Sequence, residues 1–236
     1  MGSPSGRPAA AAFVVSGLAL AAYPMLRPWG PEAGLEGAHD FASTAWPVAH
    51  LLGMVGFVSL ALGLRALTLA PTGSWPARVV GATETLAWLA AAFLLPYYGA
   101  EAFGLQAVGA YAVERGDAEV LAIAESFRYG PLAMTTFAVG LLLLLVVGIR
   151  VALGFWRSGS AGRLGGLLAG AGAVTYLPQF FGTPALRIGH GLGMGIGLVV
   201  IGVVGARSTV GPDALADAPM VRGPGGLAAD TASAAN

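Results

Sequence analysis

The sequence predicts an all-α protein: a polytopic membrane helical bundle of about six transmembrane helices arranged as three hairpins, with short helices on the outer face. Three observations predict it. Hydrophobic residues make up 56% of the 236-residue chain and charged residues 10%, with a mean hydropathy of +0.74. A soluble domain carries about 25% charged residues, so this chain cannot cover itself with a water-facing surface. Six apolar runs, each near the ~20 residues that cross a hydrocarbon core of roughly 30 Å, fill most of its length. Three of those runs end in a proline, an aromatic residue and a glycine: Pro28-Trp29-Gly30, Pro96-Tyr97-Tyr98-Gly99 and Pro178-Gln179-Phe180-Phe181-Gly182. Each such mark is a turn at the same face of the bilayer.

The spans fall at 9–27, 46–66, 79–99, 131–154, 163–182 and 187–206. The first follows Arg7 and also fits a signal peptide. Its Tyr23-Pro24 resembles Tyr176-Leu177-Pro178 at the end of span five, which favours a retained helix. Span two opens on His50-Leu51-Leu52-Gly53-Met54 and span six on His190-Gly191-Leu192-Gly193-Met194, the same His-x-Leu-Gly-Met pattern 140 residues apart. Span four opens on Gly130-Pro131-Leu132-Ala133-Met134, with the methionine in register and no histidine. Three related hairpins in one orientation are parallel repeats.

Between the spans lie segments rich in Gly, Pro and Arg, as loops are. With both termini cytoplasmic, the inner segments hold Arg7, Arg65, Arg78, Arg150, Arg157, Arg163, Arg207 and Arg222, and the outer ones only Arg27, Arg115, Arg128 and Arg187. That bias sets a multi-pass, N-in and C-in orientation in a bacterial cytoplasmic (inner) membrane. Residues 1–8 form an N-terminal cytoplasmic tail and 9–206 the transmembrane domain. The outer excursion 28–45 is a loop carrying His39-Asp40, and 101–129 holds one or two short helices over the outer mouth. Residues 207–236 have no periodic apolar face and are expected to be a disordered tail.

Composition also excludes chemistry. There is no cysteine, which removes thiol catalysis, disulfides and Cys-ligated clusters. Zero net charge without basic clusters argues against nucleic acid as a partner. No phosphate loop, nucleophile elbow, His-Glu-x-x-His or aspartate-rich diphosphate motif is present. Oligomeric state is not encoded in any pattern of the chain.

Polar groups inside a bilayer are costly unless paired or wet, so they are functional candidates. His50 and His190, each with a methionine four residues on, point an imidazole and a thioether to one helix face. Together they offer axial ligation of haem b or a Cu(I) site; as plain structure they are interface histidines with methionine filler. Glu101 sits in Pro96-Tyr97-Tyr98-Gly99-Ala100-Glu101-Ala102-Phe103-Gly104. Aromatic and apolar surroundings disfavour a charged carboxylate, and a protonated acid in an oily cavity can donate to an alkene or epoxide. Ring faces then stabilise the carbocation. Tyr97, Tyr98, Phe103, Tyr176, Phe180 and Phe181 are the candidate cavity lining, with His50 or His190 taking up the final proton. The plainer alternative places Glu101 among headgroups and these rings in an interfacial aromatic belt. His39-Asp40 offers an outer metal site with His50, His190 and Glu101, or a solvated pair. Glu84 lies roughly 25 Å from Glu101 at 1.5 Å per residue, too far for one acid–base pair.

At the His50-x-Leu-Gly-Met helix, Glu101 and the spans that follow, the layout resembles small polytopic membrane proteins of GC-rich bacteria, among them membrane terpene cyclases that begin cyclisation by protonation. The resemblance covers residues 9–206 in topology. It implies a lipophilic, isoprenoid substrate, the bilayer as partner, acid-initiated cyclisation or isomerisation at Glu101, and no cofactor. Haem electron transfer or sensing, and a copper-handling, transport or scaffold subunit, are the other readings the residues allow.

Overall fold

The computed structural model describes residues 6–69 and 77–208, and every element among them is helical. The long helices are α1 (Gly6–Leu26), α3 (Ala45–Leu69), α4 (Ala77–Gly99), α7 (Pro131–Phe155) and α9 (Pro184–Ser208), with α8 (Gly159–Val174) shorter. Three small helices, α2 (Gly34–Ala42), α5 (Leu105–Arg115) and α6 (Leu121–Arg128), form a cap at one end.

The six longer helices close a ring: α1 packs on α3, α3 on α4, α4 on α7, α7 on α8, α8 on α9, and α9 on α1. Sequence neighbours run antiparallel, so α1–α3, α4–α7 and α8–α9 are the three expected hairpins. Small residues set the closest seams, as they do where helices associate without a hydrophobic drive between them. A Cβ on Gly17 of α1 would stand 2.5 Å from the Gly195 carbonyl of α9, and one on Gly197 would stand 2.4 Å from the Ala169 nitrogen of α8. Neither backbone pair has room for a side chain.

Five helical stretches among the described residues are long and apolar enough to cross a membrane, and they make this a membrane protein. Leu142 and Leu153 of α7 are 58% and 67% exposed, a surface that suits acyl chains and not water. The interior is a single apolar core with Phe13, Phe57, Leu64, Leu94, Leu144 and Leu198 within it. The cap has a core of its own, built on Phe41, Trp46, Leu105, Ala112, Leu121 and Ala124.

Three expectations change. The excursion 28–45 is not simply a loop: it contains α2, and the Asp40 side chain accepts the Gly30 N–H at 2.9 Å to fold the preceding turn back on it. Span five stops at Val174, giving α8 only 16 residues, or about 24 Å at 1.5 Å per residue. A 3₁₀ turn, Pro178–Phe181, completes the reach to the cap end. Span three does not end at its Pro-aromatic-Gly mark. It runs on through a π turn, Ala100–Gly104, into α5. α1 begins at Gly6, within the expected tail 1–8, and α9 continues to Ser208, within the expected disordered tail 207–236. Residues 1–5, 70–76 and 209–236 lie outside the described residues.

Candidate functional site

The cap-side ends of α1 and α4 and the turn that follows α8 converge beneath the cap, and each brings a tyrosine. Tyr23, Tyr98 and Tyr176 are 8%, 2% and 4% exposed. The Tyr98 and Tyr176 hydroxyls hydrogen-bond at 2.8 Å, and the Tyr23 and Tyr98 rings lie 5.5 Å apart. Neighbouring helices fill in around them: His50 of α3 is 5.4 Å from the Tyr23 ring and 5.8 Å from Tyr98, and Phe57 meets both Tyr98 and Tyr176. Tyr97 stacks on Phe137 of α7 at 4.2 Å. The three sequence marks therefore meet at one place in the fold.

Above this aromatic floor is a cavity of about 370 Å³. Tyr97, Tyr98, Phe137, Leu141 and Phe180 make its apolar wall, and Met134, Leu177 and Phe181, all exposed, mark its apolar rim. His50, Glu101, Arg27, Glu32, Arg128 and Arg187 make the polar wall. A second, more open groove of about 480 Å³ between the end of α4 and the start of α7 shares Tyr97, Glu101 and Arg128 with it.

Local breaks in helix geometry place these groups. Pro28 has no N–H for the carbonyl four residues back, and the Trp29 indole donates to that carbonyl, Pro24 O, at 2.8 Å. The turn this fixes sets Arg27 with its guanidinium 4.4 Å from the rings of both Trp29 and Trp46. In the π turn the Leu105 N–H bonds to Ala100 O, five residues back, so the Glu101 carbonyl loses the donor an α-helix would give it. The buried Trp46 indole supplies one at 2.7 Å. Such π turns recur at functional sites because they displace one residue from the helical register; here that segment carries Glu101.

Glu101 was expected as an isolated acid in an oily pocket. It is instead buried in a charge network. Arg128 Nε donates to its Oε1 at 2.7 Å, Arg128 also donates to Glu32 Oε2 at 2.7 Å, and Glu32 Oε1 pairs with Arg27. Burial pushes the Glu32 carboxyl up, but the Arg27 and Arg128 guanidiniums outweigh it and hold the group below the ordinary carboxylate range. Burial likewise opposes the Arg128 charge, and Glu101 and Glu32 more than reverse that, raising its pKa.

The second Glu101 oxygen faces His50, with Nε2–Oε2 at 3.7 Å. His50 Nδ1 lies 2.8 Å from the Trp46 carbonyl. A carbonyl only accepts, so Nδ1 carries hydrogen and the neutral ring turns a lone pair toward Glu101. The pair can hold one proton between its members, on either side.

His190 does not join this site. Its Nε2 is 2.8 Å from the Gly172 carbonyl of α8, and its ring touches Tyr176 and not the cavity. The chain of rings between the two histidines runs through Tyr98 and Tyr176, so the paired His-Met arrangement is not assembled around one space. Phe103, expected as lining, is 58% exposed on the outside of the π turn, and Tyr176 supports Tyr98 from behind without lining the cavity. Tyr97, Tyr98, Phe180 and Phe181 line the cavity. His39 is exposed and Asp40 is committed to Gly30, so the outer metal cluster does not form. No group of three or more His, Asp or Glu side chains arranged to hold a metal occurs among the described residues. Glu84 belongs to the opposite end, paired with Arg65 at 3.0 Å.

Arg27, Glu32, Arg128 and Arg187 escaped the sequence reading. The signal was present: three of the four arginines counted on the outer side are these cavity arginines, exceptions to the positive-inside pattern. No family model matches this chain, and neither a curated protein nor a solved structure matches it significantly.

Proposed function

We propose that this is an integral membrane enzyme that isomerises or cyclises a lipophilic, isoprenoid-class substrate by proton transfer, in the manner of a membrane terpene cyclase. The observation that carries the reading is the His50–Glu101 pair, 3.7 Å apart in the wall of an aromatic cavity with an exposed apolar rim. Arginine placement supports a bacterial cytoplasmic membrane with both termini inside, which puts the cavity in the outer leaflet.

The chemistry needs no oxidant and no second substrate. The pair gives its proton to one alkene carbon, whose π electrons form the new C–H bond and leave a carbocation at the neighbouring carbon. Tyr97, Tyr98, Phe137 and Phe180 line the space around that charge, and ring faces stabilise it. Attack by a second alkene closes a ring; loss of a proton from an adjacent carbon ends the reaction and returns the proton to the pair. His50 serves both steps, and His190, outside the cavity, serves neither. Arg128 Nε donates to Glu101 Oε1 and holds the carboxyl in place, with Oε2 toward His50 Nε2, so the shared proton is delivered from between these two atoms.

Comparative lipid profiling tests this. Cells expressing the wild-type protein should accumulate a lipid isomeric with a host isoprenoid, and cells expressing Glu101→Gln or His50→Gln at equal membrane levels should not. The same lipid profile in all three would remove the proposal.

A further inference from the structure

We infer that the cavity takes an amphiphile with an anionic head, and that Arg187 is the residue that binds this head. The inference rests on the lipophilic substrate proposed above and adds its polar end. Three guanidiniums and two carboxylates line the cavity, a surplus of one positive charge before the proton of the His50–Glu101 pair is added. Both carboxylates are spoken for: Glu32 takes Arg27 and Arg128, and Glu101 takes Arg128. Arg187 has no carboxylate partner among the described residues. Its Nε donates to Gly182 O at 3.1 Å and one terminal nitrogen to Phe180 O, which leaves Nη1 without a protein acceptor.

Those two carbonyls and the Trp29 ring, 5.2 Å from the guanidinium, fix Arg187 at the rim. Trp29 holds Arg27 at 4.4 Å as well, so a single indole steadies two cations at the mouth. A half-buried cation without a counter-charge is costly in a poorly solvated site, and an anionic ligand oxygen offsets that cost. Guanidinium matches phosphate and carboxylate oxygens in particular. With its head at Arg187, a prenyl tail lies along Phe180, Phe137 and Tyr97, where its double bonds come within reach of the His50–Glu101 wall. Phosphate and carboxylate heads share this chemistry; bulk phospholipid is the competing source of it.

The test is equilibrium binding to the purified full-length protein in an uncharged maltoside detergent, with farnesyl monophosphate, farnesol and inorganic phosphate as probes. Farnesyl monophosphate should bind at least about tenfold more tightly than farnesol, the scale of one charge-assisted contact, and inorganic phosphate should bind weakly for want of a tail. In Arg187→Gln that advantage should vanish while farnesol affinity stays the same, and Arg187→Lys should restore part of it. Equal binding of both prenyl probes to the wild type would overturn the inference and leave the proposed function standing. Full displacement of farnesyl monophosphate by stoichiometric phosphatidylglycerol would overturn it too, assigning the site to membrane lipid. Failure of both prenyl probes to bind would instead remove the isoprenoid substrate, and with it the proposed function.

Discussion

Trp46 donates its indole N–H to the carbonyl of Glu101 at 2.7 Å, across 55 residues of chain. The bond ties the start of α3 to the π turn that interrupts the α4–α5 helix, and His50, one turn further along α3, thereby faces the Glu101 carboxylate. Trp46→Phe keeps the ring in the cap core and leaves that carbonyl unsatisfied, at a cost of about 1–3 kcal/mol. Thermal unfolding in detergent should show the loss, and hydrogen exchange should rise in residues 100–105.

Arg128 bridges Glu101 and Glu32, which come from segments far apart in the chain. Arg128→Met strands the buried Glu101 carboxylate and leaves Glu32 with Arg27 alone, and removing one partner of a buried pair costs about 3–5 kcal/mol. Adding Glu101→Gln and Glu32→Gln should recover most of the stability. Additive losses across the three substitutions would show that the charges act independently.

Glu32 carries a pH signature. Its folded pKa lies below the ordinary 4.5, so its contribution is full above about that value and is lost as pH falls through the folded one. Tryptophan fluorescence followed from neutral pH downward should report loosening around Trp29 and Trp46 only below about pH 4.5. Glu32→Gln should flatten that acid transition and lower stability at neutral pH.

The Tyr98–Tyr176 hydroxyl pair predicts a non-additive cycle. Tyr98→Phe or Tyr176→Phe alone leaves a buried hydroxyl without its partner, at about 1–3 kcal/mol. Tyr98→Phe with Tyr176→Phe should be closer to wild type than the sum of the two single changes, as measured by unfolding in detergent.

Hydropathy made the bundle legible, because length and composition decide what crosses a bilayer. The Pro-aromatic-Gly marks pointed to the end where the cavity lies, and with it to His50, Glu101, Tyr97, Tyr98, Phe180 and Phe181. The π turn was not legible: nothing in Gly99-Ala100-Glu101-Ala102-Phe103-Gly104 separates it from an ordinary helix end, and the indole that stabilises it comes from a distant helix. α2 was hidden by its nine residues, too few for a period to stand out. The Glu32–Arg128 contact spans 96 residues and leaves no local pattern. Two matching His-x-Leu-Gly-Met motifs suggested equal roles for His50 and His190, yet tertiary contacts part them. One faces Glu101, and the other is fixed to Gly172 of the neighbouring helix.

Proton delivery from the His50–Glu101 pair can be followed directly by isotope. Purified protein, reconstituted in vesicles with isoprenoid lipids of the host membrane, is incubated in D₂O buffer and the lipids are analysed by mass spectrometry. The wild type should place deuterium at carbon in one isoprenoid, while Glu101→Gln and His50→Gln should not. Carbon-bound deuterium that persists in both variants, or its absence from every isoprenoid with the wild type, would contradict the account.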